Sequence, residues 1–264
     1  MNAPDSSSLI GSRYNDSSYL EATGDWHAGD APWKAAMIAR MLKRHGVRPE
    51  NIAEVGCGSG EVLISLAGAF PESKMTGFEL SRDAFAICKP KEREGITFRL
   101  EDIAQSDACF DVLMAIDVIE HVEDYIGFLR GIHSLSNYFV FHIPLDIHIN
   151  ALTGGGFARA RERVGHLHYF TAETALATLS DAGFHVVDSQ FTPAFAAIGM
   201  KAAGLKTQVA RLLRGLLYAI SPNLLSKSLG GCSLLVLARR SGVAAPTMIG
   251  DDATSLLQPI SSRI

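Results

Sequence analysis

Residues 52–63 read IAEVGCGSGEVL, and this stretch decides the fold of the chain. It predicts a short apolar strand, a loop with glycine at every second position, and the first turn of a helix. The glycines allow a tight turn and close backbone approach to a ligand, and the helix behind them presents unpaired N–H groups. Glu54 stands inside the apolar strand, where a carboxylate needs a partner because burial of an unpaired charge is costly. The stretch therefore predicts the nucleotide end of a doubly wound sheet, with a ligand that carries positive charge.

Two better-known glycine loops fit this spacing poorly. A dinucleotide fingerprint spaces its glycines as G-x-G-x-x-G, and a P-loop ends in Lys followed by Ser or Thr. This loop reads GCGSG and is followed by Glu61. The remaining alternative is a structural strand-to-helix turn, and the segments that follow favour ligand binding over it.

Acidic residues stand at the ends of the next predicted strands. Glu79 ends the second strand, where an acid accepts hydrogen bonds from both ribose hydroxyls of a nucleoside. Asp102 follows the third strand, where a carboxylate can accept the amino group of adenine, and Asp117 follows the fourth. Each acid alone is more typical of a solvated loop, and Glu79 also suits the start of a helix that Ser81 would cap. With Glu54 they form a series along successive strands, which predicts a cationic, adenosine-like ligand.

With these segments the chain resembles the class I S-adenosylmethionine-dependent methyltransferases, in particular the small-molecule group that includes enzymes of ubiquinone biosynthesis. The resemblance covers about residues 30–240. The motifs that carry it are EVGCGSG at 54–60, GFE at 77–79, EDI at 101–103, the segment from Asp111 to His121, and GHLHYFT at 165–171.

The resemblance implies a role for each motif. The glycine loop would hold the methionine portion of S-adenosylmethionine, and Glu54 would support the network around its ammonium group. Glu79 would bind the ribose hydroxyls, while Asp102 and the backbone of Ile103 would contact adenine. The implied cofactor-binding residues are Glu54, Gly56, Cys57, Gly58, Gly60, Glu79, Leu80, Asp102, Ile103 and Asp117.

Strand and helix signals alternate along the chain, which predicts an α/β fold with a mostly parallel, doubly wound sheet and helices on both faces. The predicted strands cover 52–56, 74–79, 97–100, 110–116, 137–143, 184–191 and 232–238. The predicted helices cover 31–45, 60–69, 82–89, 122–134 and 172–182. The resemblance implies a seven-stranded sheet in the order 3-2-1-4-5-7-6, with strand 7 antiparallel.

The composition suits one catalytic domain with flanking segments. The chain has 264 residues, 47% of them hydrophobic, and one α/β domain of about 200 residues plus tails is the expected partition. We assign residues 1–29 to a flexible N-terminal segment and lid, and 30–240 to the S-adenosylmethionine-binding domain. That domain carries a helical insertion at 192–230, and residues 241–264 are predicted to be a disordered tail.

Charge and cysteine usage exclude several classes of protein. The net charge of −4 lacks the positive excess that is typical of nucleic-acid-binding proteins. The four cysteines are scattered without a C-x-x-C pair, which argues against structural zinc or a disulfide framework and suits a reducing compartment. The N-terminus lacks a secretion-signal pattern, and no apolar run is long enough to span a bilayer. We therefore predict a cytoplasmic protein.

Two regions are candidates for shaping the substrate site. The first holds both tryptophans of the chain, together with a histidine and a lysine: Trp26, His27, Trp33 and Lys34. They form either a lid that reaches the cofactor or substrate, or a helix whose aromatic side chains pack on the sheet.

The second region is the insertion at 192–230. No Asp or Glu occurs from Ser189 to Gly250, and within 205–220 leucines recur at helical spacing among basic residues. Such a helix can lie on an anionic membrane or bind a partner. The favoured interpretation is that its leucines pack on the sheet and its basic face is solvated. The alternatives are contact with a lipid-linked or anionic substrate, peripheral membrane contact through 205–220, and a dimer interface.

Methyl transfer needs little chemistry from the protein, because orienting the acceptor close to the methyl group supplies much of the acceleration. A hydroxyl acceptor would still gain from a base with a pKa near neutrality, and histidine is the usual choice. The candidates are His142, His121, His166 and His168, with His142 and His121 ranked first and His166 third. Each of them singly is more often structural.

The run Asp117-x-x-Glu120-His121 has a second interpretation, since acid, acid and imidazole can hold a divalent cation. Quinone-type O-methyltransferases resemble this chain here and bind magnesium with an acid-x-x-Glu-His run. This chain has Asp rather than Glu at the first position, and the shorter side chain reaches less far toward a metal ion. The favoured interpretation assigns no metal: Glu120 and His121 cap the following helix, and Asp117 lies near the cofactor.

The sequence thus predicts an S-adenosylmethionine-dependent methyltransferase, with O-methylation of a small, lipid-linked or sugar-linked molecule as the favoured reaction. N- or C-methylation is the first alternative, a catalytically inactive cofactor-binding regulator the second, and a nicotinamide-dependent reductase the third. The acceptor and the oligomeric state are not predicted, because fold implies no particular substrate.

Overall fold

The computed structural model describes residues 28–106, 108–197 and 205–240. Trp26 and His27 lie outside these residues, as do most of the predicted lid and the whole predicted tail at 241–264. The division of the chain into these segments stays a prediction.

Seven strands form one sheet in the order β3-β2-β1-β4-β5-β7-β6, as the sequence resemblance implies. β7 pairs antiparallel with both β5 and β6, and the other pairs are parallel. The strands are β1 (Asn51–Val55), β2 (Lys74–Glu79), β3 (Ile96–Leu100), β4 (Phe110–Ile116), β5 (Ser136–Pro144), β6 (Phe184–Thr192) and β7 (Ser233–Arg240).

Helices alternate with these strands as the sequence pattern predicts. The α-helices of the described residues are α1 (Ala31–Arg44), α2 (Glu61–Ala67), α3 (Arg82–Cys88), α4 (Tyr125–Ile132), α5 (Ile149–Thr153), α6 (Gly156–Val164), α7 (Ala172–Asp181), α8 (Ala194–Ala197), α9 (Leu205–Ile220) and α10 (Pro222–Ser228). Short 3₁₀ turns occupy Ala28–Asp30, Lys89–Lys91, Ile103–Gln105 and Ile119–His121.

The start of α4 differs from the prediction. The sequence pattern makes Glu120 and His121 the caps of this helix, but they lie in the preceding 3₁₀ turn. Asp124 is the cap instead, and its carboxylate accepts the N–H of Gly127 at 2.8 Å. The helix therefore begins at Tyr125 rather than at 122, and both preceding side chains are released from any capping role.

The central strands carry apolar side chains on both faces, which is typical of parallel strands covered by helices. Alternate residues of β1 enter different cores: Ile52 packs in the cluster that contains Leu42 of α1, whereas Ala53 packs in the cluster that contains Leu129 of α4. All four side chains are fully buried. The sheet is therefore held rigidly between two helical layers.

Gly60 fixes the path from β1 into α2. Its φ is +78°, and a Cβ at this position would lie 2.5 Å from Cζ of Phe98. Only glycine fits, because both the backbone conformation and the space exclude a side chain. The glycine loop is thereby held against the carboxyl ends of β1 and β2.

The orientation of α9 differs from the favoured prediction. That prediction packs Val209, Leu212, Leu213, Leu216 and Ile220 on the sheet, but all five are exposed. Leu217, which belongs to the same predicted set, does pack on the core, together with Tyr218. Helical periodicity identifies a stripe on a helix, whereas the tertiary contacts decide which side of the helix faces inward.

Candidate active site

A cavity of about 1160 Å³ opens at the carboxyl edge of the parallel strands. Because β1 lies between β2 and β4, the cavity stands where the order of strand connections reverses, which is the usual ligand position in such sheets. The predicted acidic series surrounds it: the lining includes Glu54, Glu79, Asp102 and Asp117.

Glu54 lies inside the wall of the cavity and is only 2% exposed. Its Oε2 has no hydrogen-bond partner among the described residues. Burial raises the pKa of Glu54 well above its ordinary value, although the positive charge of Lys34 opposes the shift. A buried acceptor without a donor indicates that a ligand with N–H or cationic groups belongs beside it.

Glu79 is held by backbone donors. Its Oε1 accepts the N–H groups of Leu80 and Ser81 at 2.9 and 2.8 Å, and its Oε2 accepts the N–H of Gly58 at 2.8 Å. Burial still raises the pKa of this carboxyl, and the three hydrogen bonds oppose that shift. A carboxylate has about four lone-pair sites, so roughly one site remains for a ligand hydroxyl.

Asp117 is the centre of a charge network in the cavity wall, where its side chain is 26% exposed. Lys34 Nζ lies 2.7 Å from its Oδ2, and His142 Nδ1 lies 2.6 Å from its Oδ1. Its backbone adopts φ 54°, and its N–H donates to the carbonyl of His142 at 2.9 Å. Burial alone would raise the pKa of Asp117, but His142 and Lys34 outweigh it and hold the pKa well below the usual range.

The network includes Lys34, which the sequence analysis assigns to the substrate site, and His142, which it ranks first as the base. Lys34 also contacts Asp30 at 3.0 Å, so its ammonium group lies between two carboxylates. His142 contacts Thr192 Oγ1 through Nε2 at 2.9 Å and is 3% exposed. Trp33 covers its ring edge-on, with the ring centroids 6.2 Å apart. Both ring nitrogens of His142 therefore have partners, which favours a positioning role over that of a base.

The adenine end of the predicted site is only partly built by side chains. Leu80, Asp102 and Ile103 line the cavity. Asp102 Oδ1 accepts the N–H of Ala104 at 3.0 Å, which caps the 3₁₀ turn. Leu80 is 67% exposed, so its apolar side chain is available to cover a flat ring.

Two histidines form a pair on another part of the lining. His121 and His166 have ring centroids 4.9 Å apart in an edge-on arrangement. His166 Nδ1 lies 2.6 Å from Asp146 Oδ2, and His121 Nδ1 lies 3.3 Å from the carbonyl of Gly165. An Nδ1–H donated to a carboxylate fixes the tautomer and leaves Nε2 with the lone pair. Asp146 and His166 thus have the arrangement of an oriented base.

Glu120 lies beneath this pair and is fully buried. Neither carboxylate oxygen has a hydrogen-bond partner among the described residues, and His121 Nε2 lies 3.8 Å from Oε1. Burial, together with the negative charge of Asp117, raises the pKa of Glu120 well above its ordinary value.

The same residues bear on the metal interpretation. The run Asp117-x-x-Glu120-His121 does not present its three side chains together, because Lys34 and His142 engage Asp117. In the described part of the chain, ligand atoms of Glu120, His121 and His166 lie within 4.8 Å of one another. This set could hold a cation, but its third member comes from a distant segment rather than from the run. The absence of a metal stays a prediction.

Some lining residues escaped the sequence analysis. Asp146, His148, Arg159 and Arg163 line the cavity. Asp146 follows β5 as the other acids follow their strands, so the same signal could have identified it. The two arginines lie one helical turn apart on α6, for which no helix was predicted.

Comparison with known proteins identifies the fold and the family. The family described as "Methyltransferase domain" matches residues 26–189. A pavine N-methyltransferase of Thalictrum flavum is 27% identical over 89 residues, which are 31% of this chain and 25% of that protein. A ubiquinone biosynthesis O-methyltransferase of Actinobacillus pleuropneumoniae is 28% identical over 104 residues, which are 35% of this chain and 44% of that protein. The aligned segments therefore span less than half of either relative.

A solved structure matches over most of the chain. The magnesium protoporphyrin IX methyltransferase of Synechocystis, crystallised with bound SAH, superposes with a TM-score of 0.59 and 16% identity. The superposition covers 90% of this chain and 100% of that one. At this identity the likeness concerns the fold.

Proposed function

This chain belongs to the methyltransferase domain family, and from that premise we propose that it transfers the methyl group of S-adenosylmethionine to an acceptor hydroxyl. The observation that carries the proposal is the buried, unpaired Oε2 of Glu54 in the wall of the cavity. S-adenosylmethionine carries an ammonium group and a sulfonium, and this positive charge would be the partner that the Glu54 carboxylate lacks.

The residues present fit S-adenosylmethionine. Glu54 and the loop of Gly56, Gly58 and Ser59 line one wall of the cavity, where the amino-acid portion would lie. Glu79 keeps one acceptor site after its three backbone bonds, which suits a ribose hydroxyl. When bound, S-adenosylmethionine supplies a methyl group on a sulfonium leaving group.

We assign the proton transfer to His166. Asp146 holds its Nδ1 at 2.6 Å, which leaves Nε2 to take the proton as the acceptor oxygen bonds to the methyl carbon. His121 borders the same part of the cavity and would orient the acceptor. His142 is a positioning residue, because its contact with Asp117 holds that carboxylate in place. General-base catalysis of this kind contributes about 10²–10⁴-fold.

Titration calorimetry with S-adenosylmethionine and SAH tests the binding step. We expect Glu54→Gln and Glu79→Gln to weaken binding of both ligands, and Glu72→Gln, at an exposed position outside the cavity lining, to serve as a control that leaves affinity unchanged. Equal affinity in the wild type and all three variants would refute the proposed cofactor-binding site.

The acceptor atom is tested separately. Hydroxyl transfer requires the base, so we expect His166→Gln to lower kcat by about 10²-fold or more with unchanged affinity for SAH. Full activity of His166→Gln would instead favour N-methylation of an amine that is already deprotonated; one relative is named as a pavine N-methyltransferase. Tight S-adenosylmethionine binding without transfer to any acceptor would favour the inactive regulatory domain.

A cytoplasmic location is part of the same proposal. Among the described residues, no helix combines the length and hydrophobicity that a membrane crossing requires. The four scattered cysteines remain the support for a reducing compartment.

A further inference from the structure

Helix α9 presents an apolar stripe to solvent. Its members are exposed by 49 to 79%: Val209, Leu212, Leu213, Leu216 and Ile220. Their spacing of three and four residues places them along one side of the helix. A solvent-exposed helix normally shows polar residues on this side, so the stripe marks an interaction surface.

The stripe is continued by two neighbouring helices. α10 packs on α9, and α5 packs on α10. Leu224 of α10 is 54% exposed, and Ile149 and Leu152 of α5 are 62 and 64% exposed. We call these three residues and the α9 stripe the apolar surface. It reaches the cavity, because Asn150 and Ala151 of α5 are part of the cavity lining.

The opposite side of α9 is fixed to the domain, so the stripe cannot simply turn inward. Leu217 and Tyr218 pack on the core. Tyr218 Oη donates to the carbonyl of Phe191 at 2.7 Å, and Arg214 donates to the carbonyl of Leu229 at 3.3 Å. Rotation of α9 would break these contacts.

The charge of this part of the chain indicates what kind of partner binds the apolar surface. α9, α10 and α6, which packs on α5, together carry seven basic residues and one acidic residue, Glu162: the basic residues are Lys206, Arg211, Arg214, Lys227, Arg159, Arg161 and Arg163. Basic residues near an apolar face favour the negatively charged surface of a lipid bilayer over a neutral partner. The charge of the remaining chain is strongly negative by comparison, since the whole protein carries −4.

We propose that the apolar surface docks on an anionic lipid membrane. Docking would place the α5 side of the cavity at the bilayer, so the acceptor is an amphiphile that enters from the lipid. The choice of acceptor rests on the proposed methyl transfer, whereas the docking itself does not.

Vesicle co-sedimentation of the full chain tests the docking. The probes are phosphatidylcholine vesicles and vesicles that also contain phosphatidylglycerol, each at low and high salt. We expect binding to the anionic vesicles, weaker binding at high salt because surface charges are screened, and little binding to phosphatidylcholine alone. Absence of binding, or equal binding to both kinds of vesicle, would overturn the proposal.

Matched variants distinguish binding through the apolar surface from nonspecific binding to vesicles. We expect Leu213→Gln with Leu216→Gln to lower vesicle affinity by at least about tenfold, since two apolar side chains no longer enter the interface. Both positions are exposed, so the thermal midpoint should not change. Val187→Gln on β6, also at an exposed apolar position, should bind vesicles like the wild type.

Two further measurements distinguish membrane docking from dimer formation and from a defect in the cofactor site. If sedimentation shows a dimer that the same double variant dissociates, the surface joins copies of the chain and the membrane proposal is wrong. Calorimetry with SAH in the absence of vesicles reports on the cofactor site alone. Normal SAH affinity without vesicle binding would therefore refute docking while leaving the proposed function intact.

Discussion

Replacing Lys34 by Met should destabilise the protein, because it leaves the charge network in the cavity wall without its lysine. The Lys34 side chain is 7% exposed and contacts Asp30 at 3.0 Å and Asp117 at 2.7 Å. The two carboxylates are 21 and 26% exposed and Asp117 keeps its contact with His142, so the loss of the lysine costs less than the loss of a fully buried partner, about 1–3 kcal/mol. With an m-value of about 3 kcal/mol/M, the urea midpoint at pH 7 should fall by about 0.3–1 M.

The pH dependence of stability checks the cause. The pKa of Asp117 is held well below its ordinary 3.8, so its contribution is complete above that pH and is lost as the pH falls through the folded-state pKa. The pKa of Lys34 is raised above its ordinary 10.5, so its contribution is complete below that pH and is lost only at more alkaline pH. The penalty of Lys34→Met should therefore be constant from about pH 5 to 9 and shrink under acid conditions.

Two variants serve as controls for this prediction. Lys43→Met removes an exposed lysine of the same helix and should change the free energy of unfolding by less than about 0.5 kcal/mol. Lys34→Met combined with Asp117→Asn should cost less than the sum of the single variants, because neither charge is then unpaired. A loss below about 0.5 kcal/mol for Lys34→Met alone would refute the network.

Three other predictions concern the cavity and its walls. Glu120→Gln should raise the thermal midpoint at pH 7 and flatten the stability profile above pH 4.5, because a carboxyl with a raised folded-state pKa costs stability as the pH rises from its ordinary 4.5 toward that folded-state pKa; an unchanged profile would contradict the burial argument. Gly60→Ala should cost about 1–3 kcal/mol in denaturant titrations, since its Cβ would meet the ring of Phe98, and Gly131→Ala, which has open space, is the control. Chelator treatment should leave turnover and thermal midpoint unchanged if no metal is bound, whereas a drop that Mn²⁺ or Zn²⁺ restores in the wild type, but not in His166→Gln, would establish a cation on Glu120, His121 and His166.

Much of this architecture follows from local sequence signals. Apolar strands alternate with amphipathic helices, which requires a parallel sheet covered on both faces. In such a sheet the carboxyl ends of the strands share one edge, so Glu54, Glu79, Asp102 and Asp117 had to meet there. Their residue types and order were sufficient to predict the kind of ligand.

The pairing of side chains was decided by the tertiary structure alone. Lys34 and His142 are far from Asp117 in the chain, and only the packing of α1 and β5 against β4 brings them to it. Asp146 and His166 meet for the same reason, and they displace His142 as the best candidate for the base.

The sequence therefore determined the fold and the cofactor edge, because strand patterns and glycine spacing act locally. Only the tertiary structure identified His166 as the best-oriented candidate for the base and showed that the stripe of α9 faces outward. These depend on which face of each element is already occupied by a neighbour, and no pattern within a single element contains that information.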